Sequence, residues 1–154
     1  MNELAEKGIG FPVFGEDKPG PRVPIVPGAV IFDLLVGPSR PGPEEGAAAL
    51  RAALTGNDES MGSVGAGVGA TAGKLRGGFG LATRRVGDYE VSAAMVANPV
   101  GEVIEPRSGR LHGAPGRTPV NAAAYRALPH PAESKLNTTI GAVLTDAPVT
   151  TAQA

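Results

Sequence analysis

Apolar residues gather in three runs, 23–36, 91–100 and 140–144, separated by long polar and glycine-rich stretches. The first run is apolar at odd and even positions alike, as in strands buried on both faces, while Pro24 and Pro27 keep its first half at an edge or outside the ladder. Residues 78–86 and 89–103 predict two strands joined across Gly87-Asp88, a hairpin signal even in the order Gly-Asp. In the second strand Val91, Ala93, Met95 and Ala97 share one face and Ala94, Val96 and Asn98 the other. Both faces are therefore apolar except at Asn98, which is predicted to be buried. The last run opens on Asn137-Thr138-Thr139-Ile140, where Asn favours the turn and Thr and Ile the strand that follows.

Helical signals are fewer. Residues 1–7 read as a helix closed by Gly8, with no capping residue in front. Gly42-Pro43-Glu44-Glu45 opens a second one: proline at the first turn lacks only a donor that had no partner, and the carboxylates suit the positive end of the dipole. Residues 47–54 fill it and Gly56 ends it. From 62 to 80 glycine recurs so often that side chains cannot define the segment; its backbone must turn sharply or approach something closely. Residues 105–136 form a long polar loop with five prolines and one helical turn at 121–128, a length that points to a functional or cleavable segment.

Composition sharpens this picture. Gly 23 and Pro 15 supply 38 of 154 residues, so a folded chain must be rich in turns, and with no Trp its core must come from Val, Ile, Leu and Ala. Fourteen Lys and Arg against 15 Asp and Glu leave no field to attract nucleic acid or an anionic membrane, and neither partner is expected. Without cysteine there is no disulfide, thiolate metal site or cysteine nucleophile. No apolar run approaches a membrane span and the opening has no signal-peptide core, so a cytoplasmic location is the default expectation.

Two segments invite chemistry. Gly65-Ala-Gly-Val-Gly-Ala-Thr-Ala-Gly-Lys74 fails as a phosphate loop, because Val68 stands where the first glycine belongs and Leu75 where a magnesium-binding hydroxyl belongs. A dinucleotide fingerprint forced onto Gly65, Gly67 and Ala70 has no strand before it. Lys74 is then either a solvated charge at a turn or a lysine held by close-packed backbone beside a nucleophile. The second segment is the Asn137-Thr138 bond. If the Thr138 hydroxyl displaced the peptide nitrogen at the Asn137 carbonyl and water then released the ester, the product would carry both a nucleophilic hydroxyl and an α-amine of pKa about 7.7 to 8 to serve as its base. No histidine is needed, which suits a chain whose His112 and His130 both lie in the polar loop.

The runs VPIVPGAVIFDL, GSVGAGVGATAGKL, GDYEVSAAMVANPVGEVIEP and NTTIGAVLTDAP, in this order over nearly the whole chain, resemble the P1 family of self-processing peptidases. This family includes DmpA-type D-aminopeptidase, β-peptidyl aminopeptidases and nylon-oligomer hydrolases. The resemblance implies an α/β fold, part of a four-layered α/β/β/α sandwich like that of N-terminal-nucleophile hydrolases, and a precursor cut before Ser or Thr into two associated subunits. By motif position Thr138 would be the nucleophile, Lys74 the lysine beside it and Asn98 a donor to the oxyanion or substrate carbonyl. Phe32 replaces the tyrosine often found in the Ile-Tyr-Asp motif and becomes a substrate-pocket candidate. Threonine preceded by asparagine leans toward the nylon-oligomer hydrolases.

The resemblance also implies a chain that starts and stops inside the family's domain. Residues 1–154 would be a single incomplete domain, with 1–137 part of the larger subunit, including loop 105–136, and 138–154 the start of the smaller one. Three functions follow: an amide hydrolase acting on short peptides or amino-acid amides without cofactor or metal, homo-oligomeric at full length; a catalytically silent fragment acting only through assembly; and a small-molecule-binding domain using the glycine-rich loop.

Overall fold

The computed structural model describes residues 1–34, 37–56, 60–130 and 137–150. The chain is mixed α/β with small antiparallel sheets and divides into two compact units, Met1–Ala29 with Arg40–Asp58 and Val30–Ser39 with Glu59–Ala154.

In the first unit helix α1 (Asn2–Glu6) starts on Met1 without a side-chain cap and stops at Lys7, after which Gly8 turns the chain at φ +66. Strands β1 (Phe11–Pro12) and β2 (Arg22–Val23) pair antiparallel, and Arg22 ties their connection by donating to Glu16 at 2.6 Å and to the Gly10 carbonyl at 3.2 Å. Helix α2 (Pro43–Thr55) has its proline in the first turn, and the Glu45 carboxylate accepts the Gly42 N–H at 2.7 Å. That bond, followed by one from its own amide, holds the Glu45 carboxyl below its ordinary pKa. Gly56 at φ +65 ends α2, as its position after the last apolar residue predicts.

The first apolar run departs from expectation. Only Val23 of it lies in a strand, residues 24–34 have no regular pairing, and Ile25 and Val30 are 72% and 81% exposed. Pro24 and Pro27 offer no N–H to a ladder, and among the described residues no strand besides β1 pairs with any of it. A strand apolar on both sides needs neighbours at its edges and a layer over each face; among the described residues 25–34 none is buried and none is paired. Leu35 and Val36 lie outside the described residues.

The second unit carries a 3-10 turn at Gly65–Gly67, the hairpin of β3 (Thr71–Ala72) and β4 (Leu75–Arg76), and a sheet of β5 (Gly78–Val86), β6 (Tyr89–Ala97) and, after α3 (Ala122–Ala127), β7 (Ile140–Thr145). Gly87 takes the first turn position of the β5–β6 hairpin at φ +62, which is what a type II′ turn asks for and why Gly-Asp works in this order. Strand β6 ends at Ala97 and not at 103, because Pro99 has no donor to continue the ladder. The glycine-rich segment crosses the end of this strand: the Gly77 N–H donates to the Ala70 carbonyl at 2.7 Å, and a β-carbon on Gly77 would collide with the Ala97 carbonyl oxygen.

Residues 105–130 are tied down by local bonds. Ile104 bridges Leu111, the Val120 N–H donates to the Gly109 carbonyl at 2.9 Å, and the Asn121 side chain caps α3 by accepting the Ala124 N–H at 3.0 Å. Among the described residues the buried apolar side chains are Pro24 in the first unit and Ala70, Ala72, Val96, Ile104 and Tyr125 in the second, and with them Asn98, only 2% exposed. Among the described residues no helix is long and apolar enough to cross a membrane.

Candidate functional site

The site follows from the register of β6 and β7. Val96 pairs with Ile140, so two residues further along each strand the same antiparallel register sets Asn98 opposite Thr138. The period of two puts both side chains on the face that carries Val96 and Ile140. Pro99 stops the backbone ladder there, and side chains take over: the Asn98 N–H donates to the Thr139 hydroxyl at 3.3 Å, and Asn98 Nδ2 donates to the Thr138 carbonyl at 3.3 Å.

The orientation of the Asn98 carboxamide is forced by its other partner. The Thr71 backbone N–H can only donate, and it meets Asn98 Oδ1 at 2.9 Å, so Nδ2 must face the Thr138 carbonyl. The same logic fixes Asn137. The Pro99 carbonyl can only accept, at 3.4 Å, so the Asn137 amide nitrogen faces it and also reaches the Thr71 hydroxyl at 3.3 Å. Two carboxamides thus flank the Asn137–Thr138 peptide bond, and both are held by Thr71.

The two threonines differ. Thr139 has its hydroxyl occupied by the Asn98 amide, whereas the hydroxyl of Thr138, an exposed residue, makes no hydrogen bond among the described residues. Asn98 spends one N–H of its amide on the Thr138 carbonyl; the other has no partner among the described residues.

Lys74 sits at the β3–β4 turn, three residues from Thr71, behind Gly73 at φ +56. Its ammonium is not bonded to Thr138 or Asn98. It donates to the Arg126 carbonyl at 3.0 Å, at the end of α3, and lies over the Tyr125 ring, 5.7 Å from the centroid, within range of a cation–π attraction. Tyr125 is 4% exposed and its hydroxyl has no hydrogen-bond partner among the described residues. Burial, and then the nearby Glu102 carboxylate, push its phenol pKa up. Glu102 is near enough for that effect, yet the pair does not meet hydrogen-bonding geometry. Phe32 is 37% exposed in a segment without regular structure, and its ring is not drawn into the hydrogen-bonded group; its neighbour Asp33 packs against Gly69.

Sequence reasoning passed over Thr71, Tyr125 and Glu102. Thr71 carries the only hydroxyl between Gly65 and Lys74, and Tyr125 is the only Phe, Tyr or Trp in the polar stretch 105–136. A single polar side chain among glycines, or a single ring among polar residues, is a contact signal readable without coordinates. Among the described residues no group of His, Cys, Asp or Glu could hold a metal.

Comparison with known proteins gives a family match over almost the same span as the motifs. The model described as Peptidase family S58 matches residues 13–154. The chain is 44% identical over 149 residues to an uncharacterized aminopeptidase of Mycobacterium leprae, covering 83% of this chain and 40% of that protein. It is 41% identical over 139 residues to an uncharacterized aminopeptidase of Mycobacterium tuberculosis strain H37Rv, covering 81% and 40%. It is 34% identical over 139 residues to the 6-aminohexanoate-oligomer endohydrolase of a Kocuria species, covering 79% and 39%. The chain therefore spans 39–40% of the length of these curated relatives.

Proposed function

The chain belongs to peptidase family S58, and from that membership we propose that it carries the cleavage site of an amide-bond hydrolase that activates itself by splitting Asn137–Thr138. In this reading the Thr138 hydroxyl attacks the Asn137 carbonyl carbon and the Thr138 nitrogen leaves with the hydroxyl proton. Water then hydrolyses the ester, restoring the hydroxyl and freeing the α-amine that serves as base toward substrate. Asn98 anchors the nucleophile's backbone through the Thr138 carbonyl, and its remaining N–H is the donor available to an oxyanion. Lys74, held on the adjoining hairpin turn by Arg126 and Tyr125, is the candidate source of positive charge for the site. Phe32 remains a candidate for the substrate pocket.

The sheet of β5, β6 and β7 is read as part of an α/β/β/α sandwich of the N-terminal-nucleophile type, and the full-length protein as a homo-oligomer. The names of the relatives favour aminopeptidase-like action on short peptides or amino-acid amides, with linear 6-aminohexanoate oligomers as the alternative substrate. The observation that carries the reading is the contrast between the two threonines: Thr139 is bonded into the strand end, while the Thr138 hydroxyl, beside a fixed carboxamide, has no hydrogen bond among the described residues.

Intact mass of the purified chain, followed over days at neutral pH, tests it. The expected result is conversion to pieces 1–137 and 138–154, abolished in Thr138→Ala. A wild-type chain that stays whole would instead favour the second reading, a silent fragment acting through assembly. That reading draws on the apolar side chains the sheet leaves exposed, Val143 at 71% and Leu144 at 56% among them.

A further inference from the structure

We propose that Thr71 is a positioning residue that decides which atom opens the Asn137–Thr138 bond, an inference that rests on the self-cleavage reading. An asparagine peptide has chemistry of its own. Its Nδ can attack its own carbonyl carbon: the new Nδ–C bond forms, the bond to the next nitrogen breaks, and the proton lost from Nδ ends on that nitrogen. The outcome is a free Thr138 amine, as in the hydroxyl route, but residue 137 ends as a cyclic imide and not as a carboxylic acid. The upstream piece is then lighter by one water.

The structure disfavours this second route. The Asn137 amide nitrogen donates to two acceptors, the Thr71 hydroxyl at 3.3 Å and the Pro99 carbonyl at 3.4 Å. To attack its own carbonyl the nitrogen must give up these bonds and swing away. Thr71 does not follow it, because its backbone N–H is bonded to Asn98 Oδ1 at 2.9 Å and the residue pairs with Arg76 in the hairpin. The Thr138 hydroxyl, with no competing bond among the described residues, is left as the nucleophile. Bonds of this length are individually weak, so the hydroxyl of Thr71 is assigned a bias of about tenfold, the upper end for one neutral hydrogen bond.

The variant Thr71→Val removes the hydroxyl acceptor and keeps the N–H that orients Asn98; Thr71→Ser keeps both. Mass spectrometry of the released upstream piece reads the route. Thr71→Val is expected to raise the ratio of imide to acid about tenfold and Thr71→Ser to leave it near wild type. An unchanged ratio in Thr71→Val, or the same change in both variants, overturns the proposal. If the wild-type chain never splits, the self-cleavage reading fails. The hold on Asn137 is then judged separately by nuclear magnetic resonance of the side-chain amides: Thr71→Val must shift the Asn137 pair and leave the Asn98 pair, which also reports that the fold is intact. An unmoved Asn137 pair overturns the proposal. Thr71→Ala is read in the same way, and loss of the fold in both Val and Ala variants would mark the hydroxyl as structural and overturn it too.

Discussion

Asn98 is the residue on which the site's geometry turns, and its cost when removed can be estimated. It is buried, it accepts from one backbone group and it donates to another, so truncation strands the Thr71 N–H and the Thr138 carbonyl together. Asn98→Ala is expected to lose about 1–3 kcal/mol, the scale for leaving such groups unpaired, read from the urea midpoint. Asn98→Asp keeps the shape but turns a carboxylate oxygen toward the Thr138 carbonyl where an N–H had been. Burial and that lone-pair contact raise the carboxyl's folded pKa above its unfolded value, so the penalty grows as pH rises past the unfolded value of about 4 and fades below it, where a protonated carboxyl donates again. An Asp variant as stable as wild type at neutral pH would show that the Thr138 carbonyl is not where the amide donates.

At the scale of elements, the loop after β6 has a pH dependence of its own. The Glu105 carboxylate accepts the Arg107 N–H at 3.0 Å and the Ser108 N–H at 2.6 Å. The Ser108 hydroxyl first and these two amides next hold its pKa down to about 2, below an ordinary 4.5. The Ser108 hydroxyl also accepts the Arg110 N–H at 3.3 Å. A depressed carboxyl stabilises the loop fully above 4.5 and ceases to do so as pH falls through about 2. Hydrogen exchange at Arg107 and Ser108 should accelerate across that window beyond the solvent trend, and Glu105→Gln should remove the extra acceleration. What the sequence made legible also sorts by element. The hairpin at Gly87-Asp88, helix α2 between Gly42 and Gly56, the turn at α3 and the burial of Asn98 are all local signals, set by turn chemistry, caps and alternation. The run 23–36 misleads because alternation reports what a segment could bury, not whether a neighbour is there to cover it. That Thr71 and the Tyr125 ring make contacts was readable, but the partners of Thr71 and Lys74 were not: they lie 27 and 52 positions away, and no local pattern names a partner at such a distance.

Across the whole molecule the balance between covered and exposed apolar surface governs behaviour. The central sheet shows both of its faces. By the alternation of its strands Val86, Met95 and Val143 stand on one side, 59%, 43% and 71% exposed, and Leu81 and Leu144 on the other. Strand β7 pairs only with β6 within the sheet, so the segment that would become free after Asn137 is held, among the described residues, by one ladder of six residue pairs and by side-chain bonds with Asn98 and Glu90. Among the described residues the buried apolar side chains are small apart from Ile104 and Tyr125, and the first unit contributes only Pro24. A domain of this length ordinarily buries close to 70% of its unfolded surface and unfolds with a steep denaturant response. The isolated chain is therefore expected to unfold in urea with a shallow slope, about 1 kcal/mol/M or less, and to bind a hydrophobic dye while still showing strand signal in circular dichroism. The slope should steepen with protein concentration if copies cover one another's sheet faces, which is the condition the assembly reading requires. A steep transition, independent of concentration and without dye binding, would mean that these valines and leucines are already covered in the monomer, and it would remove the physical basis for assembly.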